Sequence, residues 1–436
     1  MKISQAVFHP VAVADGPLRS SYGRHAPYAL RTIVELKTTD GLTGISETYG
    51  GDGPLAALEA ARPLVEGRDP FQLTGLWMSL AERAEQDSRG DRSQTYLVPG
   101  ENPRDIHSRT FAALEVACLD IIGQASGKPL CDVVGGRARS APPFSAYLFY
   151  KHGGGGGMGA DAREDEYGEC LDPVSMVRQC KQMVAKYGFR EIKLKGGVLD
   201  PDQEIETIRK LREEFGDSYP LRIDPNCAWS VETSVGVGRA LKQELSGGGY
   251  LEDPTAGMDG MAEVRKRLLA EGNETPLASN VATTCFEHLP VAKNQDAVQI
   301  VLSDPHYWGG IRAQQHLSKF AEVLELGLSM HSNNHLGVSM MIMAHASAAC
   351  PHLTYACDTH YPWQTEIDEV VEGGRVPIVD GCVRIPDTPG LGVRLDHDQL
   401  ARGRERYAGL TYRKRDDEAE MRKHVDPNWK RVLPRW

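Results

Sequence analysis

The chain has 436 residues, 41% apolar and 25% charged, with a formal net charge of −11. This is the composition of a globular protein with ample length for a large core. The acidic balance, with no strongly basic domain to offset it, argues against nucleic acid as the main partner. No stretch approaches the ~18 apolar residues needed to span a bilayer, and Met1–Pro10 lacks the apolar core of a secretion signal. Nine cysteines occur without a Cys-x-x-Cys pair, the pattern of reduced thiols in a cytoplasmic protein with no membrane partner.

Residues 1–135 predict an α+β domain. Thr32–Thr38 and Thr43–Glu47 alternate in polarity around the turn signal Thr39, Asp40, Gly41, which predicts a hairpin or meander. Apolar residues then recur at three and four over Leu55–Val65, Leu73–Ala84 and Ile106–Gly123, the spacing of helices. Gly135-Gly136 and Pro142-Pro143 mark a boundary.

From residue 136 to 376 the chain alternates. Candidate strands are Phe144–Phe149, Glu191–Lys195, Leu221–Asp224, Tyr250–Glu252, Pro276–Ser279, Val298–Ser303, Leu328–His331 and Leu353–Cys357, with helical patterns such as Pro173–Lys186, Pro201–Glu214 and Val231–Leu245 between them. Eight short strands alternating with helices predict a parallel sheet, and eight strands close a barrel; an open doubly wound sheet shares the same spacing. Gly153–Gly157 reads as a mobile loop and not a dinucleotide site, because acidic residues follow where a helix should open. In residues 377–436, Ile378–Val383 and Gly390–Val393 suggest small strands, and the charged tail from Arg402 is expected to pack back on the first domain.

Polar residues gather where the candidate strands end: Lys193 and Lys195, Asp224 and Asn226, Glu252, Asn280, Asp304, His331 and Asn333, Asp358 and His360. In a barrel, those ends face the active site. Asp224, Glu252 and Asn280 recur at roughly 25–30 residues, the length of a βα unit. Each alone reads as a helix cap; together they form an oxygen-only donor set suited to Mg²⁺. Lys193 and Lys195 leave one face of their strand, and a lysine beside a metal–carboxylate site can serve as a base. His331 and His335 lack the helix and the glutamate of a zinc protease motif. Asp304, one βα unit earlier, is the better partner for His331, since a carboxylate on one ring nitrogen raises the basicity of the other. The set predicts removal of a proton beside a metal-bound carboxylate, with Lys195 on one side of the carbon and His331 on the other.

The segments Lys193–Lys195, Asp224–Asn226, Glu252–Pro254, Asn280, Asp304 and His331–Asn333 resemble the enolase superfamily, and within it the glucarate dehydratase group. Lysine or histidine bases working with Mg²⁺ are an established feature of that superfamily. Further matches are Gly23–Pro27, Tyr147–Phe149, Phe189–Leu199, Ser332–His335, Asp358–His360 with Trp363 and Gln364, and Arg415–Asp417. The resemblance implies an α/β fold: a modified (β/α) TIM-type barrel with an α+β N-terminal capping domain completed by the C-terminal segment. It implies Mg²⁺ on Asp224, Glu252 and Asn280, opposed bases Lys195 and His331, and Asp304 orienting His331. Lys193 and Asn226 would contact the reacting carboxylate. His25, Thr95, Tyr147, Phe149, Asn333, Asp358, His360 and Arg415 would line the rest of the pocket, with Arg415 giving a bidentate contact to a distal carboxylate. The implied reaction is dehydration of a diacid sugar, D-glucarate first, to 5-keto-4-deoxyglucarate, by a homo-oligomer.

Ser20, the Val98–His107 segment and the Gly153–Asp165 insertion depart from the group's pattern. Three rivals follow. The same chemistry serves a dehydratase or epimerase of another sugar acid, a lysine Schiff-base aldolase would need no metal, and an inactive metal-binding relative would keep the donors without turnover.

Overall fold

Three antiparallel strands open the chain: β1 (Ile3–Ala14), β2 (Tyr28–Thr38) and β3 (Thr43–Tyr49), in that order across the sheet. This is a computed structural model, and it describes residues 1–87 and 103–436. The β2–β3 turn is the expected one, closed by Thr38 N donating to Leu42 O at 2.9 Å. β1 went unpredicted, because Pro10 and scattered polar residues blur its alternation. The sheet packs on the helix Pro103–Ser126. That contact requires glycine at Gly44, where a Cβ would sit 2.0 Å from Ala117 O.

Seven short strands then run in parallel and in chain order: β4 (Ala146–Phe149), β5 (Ile192–Lys195), β6 (Leu221–Asp224), β7 (Tyr250–Glu252), β8 (Leu277–Ser279), β9 (Ile300–Ser303) and β10 (Gly327–Met330). The expected eighth strand, Leu353–Cys357, is not a regular strand. Thr354 N and Tyr355 N both donate to Leu328 O, and Thr354 Oγ1 takes the Leu328 N–H that a ladder would use. Side-chain competition of this kind breaks up a strand. The segment still closes the ring. Asp358 N donates to Met330 O on one side; on the other, Cys357 N donates to Pro143 O and Ser145 N to Cys357 O.

Helices cover the outside. Pro173–Tyr187 starts on an Asp172–Ser175 capping box with proline in its first turn and ends at left-handed Gly188. Val231–Ala240 stops short of the expected Leu245 and continues as turns toward Gly247. Ile192 and Leu194 join the hydrophobic core while Lys193 and Lys195 turn inward among carboxylates, the face split that a period of two dictates. Ile378–Val383 and Gly390–Val393 form isolated bridges only. The later helix His397–Gly409 lies on β1, with Gly403 against Val11 and Arg406 donating to Ala12 O. The C-terminal segment thus completes the cap of a modified (β/α) barrel. The final residues reach the loop after β6, where Ser230 N donates to Trp436 O at 2.7 Å.

Gly153–Gly157, expected to be a mobile loop, is instead packed against the cap. Gly157 N donates to Pro27 O, Met158 N to the Tyr28 hydroxyl, and Gly154 N to Asp165, which Lys151 holds through both carboxylate oxygens. Gly156 lies so close to Asp15 that a Cβ would approach its carbonyl oxygen to 2.3 Å. Among the described residues no helix is long and apolar enough to cross a membrane.

Candidate active site

Adjacent parallel strands place the acidic and basic predictions side by side. Lys195 on β5 is in register with Asp224 on β6, and Lys195 Nζ donates to Asp224 Oδ2 at 2.6 Å. One layer deeper, Lys193 Nζ reaches Asp358 Oδ2 at 2.5 Å, Glu252 Oε2 at 2.6 Å and Asp224 Oδ2 at 3.5 Å. Its ammonium also lies over the Tyr147 ring, 4.6 Å from the centroid. Burial works against that charge, but Asp358 and Glu252 outweigh it and hold Lys193 protonated well above the ordinary lysine range. Burial raises Asp224 as well, yet Lys195 and Lys193 together bring it down to about 2. Glu252 moves the other way. Burial, then the charge of Asp224, push it well up, with Lys193 only a partial offset.

The third expected donor is nearby. With one placement of the Asn280 amide its nitrogen donates to Asp253 Oδ2 (3.0 Å) and Glu252 Oε1 (3.2 Å); with the other, its oxygen faces those acceptors. Oxygens gathered this way repel unless a cation sits among them. Buried Glu252 Oε2 accepts no hydrogen bond, although Lys193 Nζ is close. Two carboxylates and an amide of this kind fit a hard divalent ion that keeps open positions for water or substrate. Among the described residues no group of three or more His, Cys, Asp or Glu side chains is placed to hold a metal ion by itself.

The opposite wall carries the dyad. His331 follows β10, Asp304 follows β9, and His331 Nδ1 lies 3.2 Å from Asp304 Oδ2. Burial raises the Asp304 carboxyl, but His306 and then His331 more than reverse this and hold it far below the usual aspartate range. His360 links the two walls. Burial, then the nearby His25, His335, His331 and Lys195, depress it well below the usual histidine value. Its ring packs 4.9 Å from Tyr147 and 5.0 Å from Phe149.

The remaining expected residues divide. Asn226 takes a positive φ of 52° after Asp224 and donates its backbone N–H to Asp224 Oδ1 at 2.9 Å. His25 Nδ1 lies 3.0 Å from Asp15 Oδ2, beside a cavity of about 180 Å³ walled by Gly153–Gly157. Arg415 is held by the protein on two of its nitrogens: its Nη1 donates to Asp15 and Asn334 and its Nε pairs with Asp417 at 2.8 Å. Asn333 is exposed, with Oδ1 accepting from Asn334 N. Thr95 lies outside the described residues.

Several residues that the sequence did not single out organise these groups. Asp253, at φ 38°, accepts from Asn280 N, Val281 N and the Ser279 hydroxyl, and so fixes the turn that carries Asn280. Asp15 joins His25, Asn334 and Arg415. Tyr49 donates to Asp304 Oδ2 at 3.0 Å. Asp253 had a local signal, the Asp-Pro step after a strand end; Asp15 and Tyr49 had none.

A closed parallel barrel under an α+β cap, with lysine–carboxylate and histidine–aspartate groups at the C-terminal ends of its strands, defines a class of enzyme. Known proteins share it: residues 175–399 match the family model for enolase C-terminal domain-like proteins, and the chain belongs to the enolase superfamily. It is 42% identical over 435 residues to a probable glucarate dehydratase of Streptomyces coelicolor, covering 98% of this chain and 97% of that one. An enolase of Pseudomonas fluorescens solved with magnesium, potassium and tartrate superposes with a TM-score of 0.93 at 42% identity, covering 100% of this chain and 99% of that one. An enolase of Thermobispora bispora with magnesium and formate gives a TM-score of 0.91 at 44% identity, covering 100% of both chains. The protein is an enzyme of the carbon–oxygen lyase class, a hydro-lyase.

Proposed function

We propose that the enzyme is an acid-sugar dehydratase acting on a six-carbon diacid, D-glucarate first, with Mg²⁺ held by Asp224, Glu252 and Asn280. The observation that supports this reading is that Lys195 pairs with Asp224 and His331 with Asp304 at barrel strand ends, with both bases near His360. The 42% identity to a probable glucarate dehydratase supports the substrate, and the magnesium of the solved relatives supports the ion. When bound, the ion polarises the substrate carboxylate and makes the neighbouring C–H more acidic.

The chain's own groups do the rest. Lys193, kept protonated by Asp358 and Glu252, presents a fixed positive charge toward the reacting carboxylate. Lys195 or His331, according to the configuration at the carbon, takes the α-proton. His331, steadied through Nδ1 by Asp304, then gives a proton to the departing β-hydroxyl. Loss of water leaves an enol that tautomerises to 5-keto-4-deoxyglucarate. Tyr147, Phe149 and His360 wall the pocket against water.

Ser20 and the packed Gly153–Asp165 loop beside His25 favour including other acid sugars in the test. A panel of mono- and diacid sugars is incubated with enzyme and Mg²⁺, and keto product is measured. Turnover of glucarate that EDTA abolishes and Mg²⁺ restores is expected. Turnover of a monoacid alone would replace the substrate assignment, and EDTA-resistant activity with borohydride trapping of a lysine adduct would replace the mechanism.

A further inference from the structure

Asp304 has more partners than a simple dyad needs. Its Oδ1 accepts from His306 Nδ1 at 2.6 Å and from His306 N at 2.8 Å. With Nδ1 donating, His306 Nε2 is left to accept from the Ser339 hydroxyl at 2.8 Å. Oδ2 is the oxygen facing His331 Nδ1, and it also receives the Tyr49 hydroxyl at 3.0 Å. That hydroxyl is the donor, because an ionised carboxylate oxygen can only accept, and burial and the charge of Asp304 keep the phenol protonated against the pull of Arg109 and Arg31.

Tyr49 is not a loose neighbour. It closes β3 of the cap, with the Arg109 guanidinium over its ring at 4.1 Å, Arg31 at 5.1 Å and the His306 ring edge-on at 6.1 Å. Two further carboxylates tie the cap to the elements that follow the dyad. Glu47, two residues back on β3, accepts from Leu336 N and Ser339 N at the start of the helix after His331. Glu115 accepts from Ile311 N at 2.7 Å at the start of the helix after Asp304.

We infer that Tyr49 is a positioning residue for the dehydration: its hydroxyl shares Asp304 Oδ2 with His331, fixes the carboxylate plane, and draws off charge that would otherwise make the imidazole more basic. A carboxylate oxygen bonded to two donors stabilises each less than it would stabilise one. The cap thereby sets the proton affinity of a group carried by the barrel. The charged and titratable groups around the dyad are Tyr49, Arg31 and Arg109 from the cap, His306 and Tyr307 from the loop after β9, and His360 and Lys195 across the mouth.

This role rests on His331 as the proton-transfer group proposed above, so its test reads the imidazole directly. Histidine-labelled enzyme is titrated by NMR, with the His331 signal identified by its loss in His331→Asn. In Tyr49→Phe the His331 midpoint is expected to rise, and the histidine limb of the kcat–pH profile should move with it while KM stays nearly constant. If Tyr49→Phe does not fold, 3-fluorotyrosine placed at position 49, a stronger donor of almost the same shape, should lower the midpoint. A midpoint unmoved by the phenylalanine, or by the fluorophenol where that is used, overturns the inference, even if the melting temperature drops. Full turnover by His331→Asn would instead overturn the catalytic reading, whatever the titration shows.

Discussion

The two walls of the site are built differently. On the lysine wall the ion pairs lie within the barrel: Lys195 meets Asp224 in register on the neighbouring strand, and Lys193 reaches Glu252 on the strand beyond it. On the histidine wall the barrel supplies His331, Asp304 and His306, but the cap holds them through Tyr49, Glu47 and Glu115. Register fixes the first wall; docking of two domains fixes the second. The lysine wall should therefore tolerate changes in the cap that disable the histidine wall.

The comparison is broken most severely at the histidine itself. His331→Asn is expected to lower dehydration by about 10²–10⁴-fold, the usual weight of a general acid–base group, without loss of Mg²⁺ affinity measured by calorimetry. An equal loss of Mg²⁺ affinity would mean that the walls are not separate.

Glu47→Ala is expected to come next. Glu47 is buried, pairs with Arg31 at 2.7 Å and accepts from Leu336 N and Ser339 N. Its loss leaves a buried guanidinium unpaired, at a cost of about 3–5 kcal/mol in unfolding free energy. Turnover of the folded fraction should fall, while exchange catalysed by Lys195 should persist. Denaturant unfolding with assays on the refolded enzyme checks both.

The smallest effect is on acid stability. Folding depresses the Asp304 carboxyl far below the ordinary aspartate value of 3.8. Its contribution is thus fully present above that ordinary value and is lost as pH falls through the lower folded value. Asp304→Asn should be less stable than the parent at about pH 6, with the gap closing below about pH 4. Melting curves at stepped pH measure it, and a gap that widened in acid would show the sign to be wrong.

The same contrast explains what could be read from the chain alone. Lys193, Lys195, Asp224, Glu252 and Asn280 were legible because a strand period of two and a βα repeat place them without reference to anything distant. His331 with Asp304 was legible for the same reason, being one βα unit apart. Tyr49 and Asp304 are 255 residues apart, Glu47 and Leu336 289, and Asp15 and Asn334 319. No local pattern links such pairs. The eighth barrel segment failed as a strand for a local reason, the Thr354 side chain taking a backbone partner. The Asp15 and Asn334 partners of Arg415 were not legible either, because they lie in other parts of the chain.

The central claim is that two proton-moving groups approach one carbon from opposite sides. Deuterium incorporation from D₂O, followed by proton NMR with two diacid sugars epimeric at that carbon, tests it most directly in Lys195→Met and His331→Asn. Each variant should exchange one epimer only, and the two variants should choose opposite epimers. Both variants exchanging the same epimer would place the groups on one side and contradict the claim.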